Sequence, residues 1–260
     1  MTDLVNPSRR SIVRGAAWSV PVVAVATTAP AFAASPCATT YSFRLDWGTT
    51  PYNRASARSA TATVSSSPSG ATPLTVTFTS TSSSSLNVPD TTRNLTVPAN
   101  TGTGTTADPV VTSLGGRAGE RGVMLYHASS TPGRANRQDV AITFSRPVRG
   151  LKFYVTDVDT ITNPAYSDRV ELVGYTAASA VVPFTRTNDG ITGDGSVASP
   201  WLRTADSNVS ENAAGAQTLV DFGASTAEVK SLVLTYWNNA GGTQYHRVFI
   251  GDLDFTALGC

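Results

Sequence analysis

Tyr41-Ser42-Phe43-Arg44-Leu45-Asp46-Trp47 places Tyr41, Phe43, Leu45 and Trp47 at every second position, with polar residues between them. In a strand successive side chains point to opposite faces, so this period of two predicts a β-strand with one buried face. The same pattern recurs at Leu74–Phe78, Val140–Phe144, Leu151–Val155 and Val170–Val173. It returns at Val181–Phe184, Leu219–Phe222, Leu232–Trp237 and Val248–Phe255. Pro147, Gly150, Gly174, Gly190, Gly193, Gly195, Gly223 and the Gly241-Gly242 pair punctuate these runs as turns. No helix-period stretch follows residue 33. Many short strands without intervening helices predict an all-β chain, an antiparallel β-sandwich of jelly-roll-like type. The Ser/Thr/Gly-rich stretches 80–122 and 189–215 are expected as long surface loops of one domain, with an embedded edge strand at Leu95–Val97.

Ahead of the strands lies an address. Ser8-Arg9-Arg10-Ser11-Ile12-Val13-Arg14 is a twin-arginine run, an apolar segment follows from Gly15, and Ala31-Phe32-Ala33 offers a small-x-small cleavage pattern. A spanning helix needs about 20 apolar residues, and Ser19, Pro21, Thr27, Thr28 and Pro30 interrupt this one. The expectation is a signal peptide of twin-arginine type over 1–33 and a single domain over 34–260. The mature protein is expected to be secreted, extracellular or at the cell surface, with no transmembrane span. Arg14 stands where the usual motif has Lys, which leaves the general secretory route open.

The full chain has 19 Lys+Arg against 18 Asp+Glu, and only 14% charged residues. Ser and Thr make up roughly a quarter of it, a usage suited to half-buried pleated surfaces. So even a balance gives no electrostatic reason to expect nucleic acid or an anionic membrane as partner. The two cysteines, Cys37 and Cys260, stand at the two ends of the expected mature domain. In an oxidising compartment they are expected to form one disulfide, which would bring the first and last strands side by side.

The strings Ala141–Asp159, Tyr166–Leu172 and Ile250–Phe255 resemble those of uncharacterised secreted actinobacterial surface proteins with a similar signal. More loosely, the chain is similar to the jelly-roll domains of bacterial adhesins and carbohydrate-binding modules. The resemblance implies a jelly-roll-like fold, a surface location and an adhesin-like binding role. It implies no catalytic residue.

Several constellations are candidates for chemistry. Asp157 and Asp159, two apart at a strand end, with Asp168 after a short loop, form a candidate Ca²⁺ site built from carboxylate oxygens. The competing reading has these acids capping turns or pairing with Arg169 and Arg149. Asp252 and Asp254 repeat the two-residue spacing. Trp201, in a polar loop, and Tyr236-Trp237 at a strand end are candidate platforms for sugar rings, one of the last pair being expected outward. Ordinary core packing is the competing reading for each aromatic. A hydrolase or lyase needs two carboxyl groups across a cleft, about 5–10 Å apart, and Glu171 between Val170 and Leu172 is expected to face outward. His127 and His246 have neither a nucleophile elbow nor metal-ligand spacing beside them. The leading expectation is a non-enzymatic binding domain for polysaccharide, cell-wall glycan or other cell-envelope material. A glycan-active enzyme and an inert structural envelope protein are the alternatives.

Overall fold

In the computed structural model the period-two stretches fall largely on antiparallel strands; inward and outward residues alternate along Thr40–Leu45, Leu74–Ser82 and the first half of Gln138–Thr156, whereas Arg247–Ile250 is buried throughout. The structure describes residues 36–260 apart from 84–89, 106–107, 130, 163–165 and 243–245. The expected signal segment lies outside the described residues. In chain order the strands begin with β1 (Thr40–Leu45), β2 (Tyr52–Ser56), β3 (Ser59–Val64), β4 (Ser66–Ser67) and β5 (Leu74–Ser82). Next come β6 (Val123–Tyr126), β7 (Gln138–Thr156), β8 (Thr160–Ile161), β9 (Tyr166–Tyr175) and β10 (Val181–Val182). The last are β11 (Thr185–Asp189), β12 (Gln217–Asp221), β13 (Val229–Asn238), β14 (Arg247–Ile250) and β15 (Leu253–Leu258).

Two antiparallel sheets share one strand. The first runs β2-β3-β5-β7-β13-β9-β10, and the second β4-β1-β15-β7-β12-β11, with β14 beside the end of β7 and β6 beyond it. The first half of β7, Gln138–Phe144, pairs with β5 and β13. Its second half, through Lys152–Thr156, pairs with β12, β14 and β15. Sequence reading expects two strands here, parted by a turn at Pro147 and Gly150. The structure has one 19-residue strand that bends instead. Gly150, at φ 59°, takes the left-handed conformation that a residue without Cβ adopts cheaply, so the chain changes sheet without reversing.

The alternation decides what each strand buries. Phe43 and Leu45 of β1, Leu74, Val76 and Phe78 of β5, and Val140, Ile142 and Phe144 of β7 all point inward. Side chains from both sheets meet in one core: Phe144 lies 5.4 Å and Phe43 5.6 Å from Phe255, and Trp47 lies 5.5 Å from Phe78, ring centre to ring centre. Each such fully buried side chain contributes about 1.5–3 kcal/mol. The Ser/Thr/Ala strand β3 escapes sequence reading because Ala60 and Ala62 supply its buried face with almost no hydrophobic contrast. Leu95–Val97 is reduced to a single bridge from Thr96 to Met124.

The ends of the domain are joined as expected. β1 pairs with β15 from Thr40↔Leu258 to Leu45↔Leu253, and Cys37 and Cys260 form a disulfide with Cα atoms 4.7 Å apart. Among the described residues no helix is long and apolar enough to cross a membrane.

Candidate functional site

The structure brings the three expected acids together, at the end of β7 where the strand gives way to irregular chain. Asp157 sits at φ 65°, outside the strand conformation, and the backbone then turns so that Asp159 faces the start of β9. The Asp168 N–H donates to the Asp159 carbonyl (2.8 Å), and the Asp159 N–H donates back to Asp168 Oδ2 (3.1 Å). Tyr236 Oη donates to Asp168 Oδ1 at 2.8 Å, and the Val209 N–H to Asp159 Oδ2 at 2.9 Å. Arg247, at the start of β14, pairs with Asp157 (3.2 Å) and with Glu211 of the covering loop (3.3 Å). The guanidinium paired with Asp157 is therefore that of Arg247. Arg149 instead pairs with Glu228, and Arg169 donates to Ser167 Oγ and the Asp168 carbonyl.

Burial dominates the electrostatics. It pushes Asp168 well above the usual carboxylate range, against the hydrogen bond from Tyr236. It raises Asp157 in the same direction, opposed by the Arg247 guanidinium. Asp159 is pushed up to about 6, again chiefly by burial. The neighbouring His127 and His246 are pushed down to about 4 by burial, so both imidazoles are neutral near pH 7. Crowded, buried acids retain protons, which is how a low-dielectric site relieves like-charge repulsion. Protein donors already occupy an oxygen of each expected calcium ligand. Among the described residues no group of three or more His, Cys, Asp or Glu is placed to hold a metal ion.

The expected aromatic platforms are not surface features. Trp201 is fully buried (0% exposed): its backbone pairs with Val170, and its ring lies 6.0 Å from Phe184. Tyr236 and Trp237 are both buried, which corrects the expectation that one of them points to solvent. Tyr236 belongs to the core. The outward side of β13 is covered because the short turn Arg134–Asn136 packs along its end, with the Gly133 N–H donating to the Asn238 carbonyl at 2.9 Å. The same segment covers Glu171, which is buried and paired with Arg134 at 2.7 Å rather than facing water. A polar loop is a poor guide to exposure when the chain folds back over a sheet.

A feature that sequence reading missed lies on the outer face of the second sheet. Pairing registers align Asp221, Lys152, Asp254 and Arg44 in one row across β12, β7, β15 and β1. Charges alternate along it. Lys152 meets Asp221 at 2.9 Å and Arg44 meets Asp254 at 2.9 Å, while Arg44 also reaches Asp252 at 2.7 Å. The i, i+2 spacing of Asp252 and Asp254 thus delivers both carboxylates to one guanidinium. Arg44, Lys152, Asp252 and Asp254 line a cleft of about 230 Å³ with Glu120 and Tyr154. Arg117 stacks 3.6 Å over the Tyr154 ring and pairs with Glu120. Arg44 is the outward polar partner in the opening heptapeptide, but only register could show what stands beside it.

No protein-family model, curated protein or solved structure matches the chain.

Proposed function

We propose that the chain is a non-enzymatic binding module of the extracellular space or cell surface, taking glycan or other cell-envelope material. The observation that carries this reading is the cleft on the outer face of the second sheet, with its row of alternating charges. Exposed ion pairs contribute only about 0–1 kcal/mol to stability, so the row costs little to reorganise around a ligand. Carboxylates accept hydrogen bonds from hydroxyls, and Arg44 and Lys152 donate to hydroxyl and ring oxygens. That is the chemistry a glycan asks for. The cross-linked ends and the Ser/Thr-rich surface are in keeping with life outside the cell.

The test is retention of the folded domain on insoluble polysaccharides and on cell walls. Saturable binding is expected, weakened about tenfold by Lys152→Ala or Asp254→Ala, as suits loss of a hydrogen bond to a charged group. Absence of retention on every matrix would remove the reading. A second reading, glycan hydrolysis, is favoured by one observation: Glu120 and Asp252 line the same cleft, and burial raises the Asp252 carboxyl. Release of reducing ends that Glu120→Gln and Asp252→Asn both abolish would select it.

A further inference from the structure

A second concavity is apolar. Among the described residues the most exposed large hydrophobic side chains are Val181 (66%) and Val197 (60%), and both line one groove of about 620 Å³. Its other apolar walls come from Leu172 and Val182, which are buried, and Phe184, which is half-buried. The groove runs between the β9–β10 edge of the first sheet and the loop after β11. That loop is pinned from beneath: a Cβ on Gly195 would meet the Trp201 ring at 2.7 Å, so its backbone lies directly on the core. Two charged side chains, Arg186 and Asp194, complete the lining. Arg186 Nε donates to the Gly193 carbonyl (3.2 Å), and Asp194 Oδ1 accepts the Ser196 N–H (2.9 Å).

We infer that this groove binds a single-chain amphiphile, its aliphatic tail along Val181, Val182, Phe184 and Val197 and a zwitterionic head at Arg186 and Asp194. Walls of valine, leucine and one phenylalanine, without an exposed Tyr or Trp, suit a hydrocarbon better than a sugar ring. A groove of this volume, apolar with a few polar groups, is typical of small-molecule sites. One cation and one anion in the lining match a head that carries both signs, whereas a purely anionic head would meet Asp194. Strand addition by a peptide is disfavoured, since β10 is two residues long and Pro183 follows it without an N–H to donate. This inference is independent of the polar cleft and shares no residue with it.

The test is calorimetric titration of the folded chain with dodecylphosphocholine below its micelle concentration, with dodecyl maltoside as the neutral-head comparison. One-to-one saturable binding is expected. Val197→Asp, at a solvent-exposed position that the fold does not need, should weaken both ligands at least about tenfold, since a charge faces the tail. Arg186→Gln with Asp194→Asn should weaken dodecylphosphocholine several-fold and leave dodecyl maltoside unchanged. Lack of saturable binding, or binding indifferent to Val197→Asp, would overturn the site. Equal response of the two ligands to Arg186→Gln with Asp194→Asn would overturn the zwitterionic head. A concentration-dependent dimer abolished by Val197→Asp would make the groove a contact between copies of the chain and likewise overturn the inference.

Discussion

Asp159 is the residue whose environment reads most directly into a measurement. Its carboxyl is raised to about 6, against about 3.9 in an unfolded chain. Between these values the folded protein holds a proton that the unfolded chain has lost. Its contribution therefore favours folding below about pH 4 and turns against it as pH rises through 6. His127 and His246 act oppositely: with folded values near 4, their contribution is full above about 6.5 and is lost as pH falls toward 4. The parent's pH profile mixes the two, so the comparison to make is with Asp159→Asn, which keeps an acceptor for the Val209 N–H. We expect this variant to melt about 5 °C higher at pH 7.5, a gain of roughly 2 kcal/mol, and to match the parent at pH 4. Equal shifts at both pH values would contradict the assignment. Arg247→Met should do the reverse, because it removes the cation paired with buried Asp157 and half-buried Glu211. A loss of about 3–5 kcal/mol in urea unfolding is expected. Donors from Val209, Tyr236 and Arg247 meet one oxygen each of Asp159, Asp168 and Asp157, while Asp159 Oδ1 has no hydrogen-bond partner among the described residues. EDTA is expected to leave the melting temperature unchanged, and a drop reversed by added calcium would assign the ion instead.

At the scale of elements, the loop after β11 and the strand β13 show why a polar run misleads. The segment from Asp189 to Gly215 reads as surface, yet Trp201 bridges to β9 and plugs the core. Trp201→Ala is expected to cost about 3–5 kcal/mol in denaturant unfolding through the cavity it leaves. Glycan retention per folded molecule should be unchanged. Gly195→Ala should also destabilise, since it combines φ 78° with a clash against that ring. Tyr236 and Trp237 repeat the lesson from a strand. Alternation correctly predicts that their side chains diverge, but a covered second face makes both buried. In β7 the two predicted strands have the right residues on the right face, and only the continuity between them was hidden. Whether Pro147–Gly150 reverses the chain or bends it depends on which sheets receive the two halves.

Over the whole molecule, the disulfide closes nearly the entire domain, joining cysteines at a sequence separation of 223. In the chain-entropy account a loop of that length contributes about 5 kcal/mol by restricting the unfolded state. Reduction, or Cys37→Ser with Cys260→Ser, should lower the unfolding free energy by an amount of that order. The β1–β15 register should survive in the folded fraction, as hydrogen exchange would show. The class of fold, its all-β antiparallel character, the inward residues of the main strands and the pairing of the two cysteines were legible in the chain alone. Side-chain periodicity and covalent arithmetic are local, one-dimensional properties. Tertiary structure alone decided which surfaces exist. The cluster at Asp157, Asp159, Asp168 and Arg247 draws on the end of β7, the start of β9 and the start of β14. The charged row needs the register of four strands, and the apolar groove needs a loop laid over a sheet edge. Each depends on burial and on neighbours distant in sequence, and so on the free energy of the packed whole.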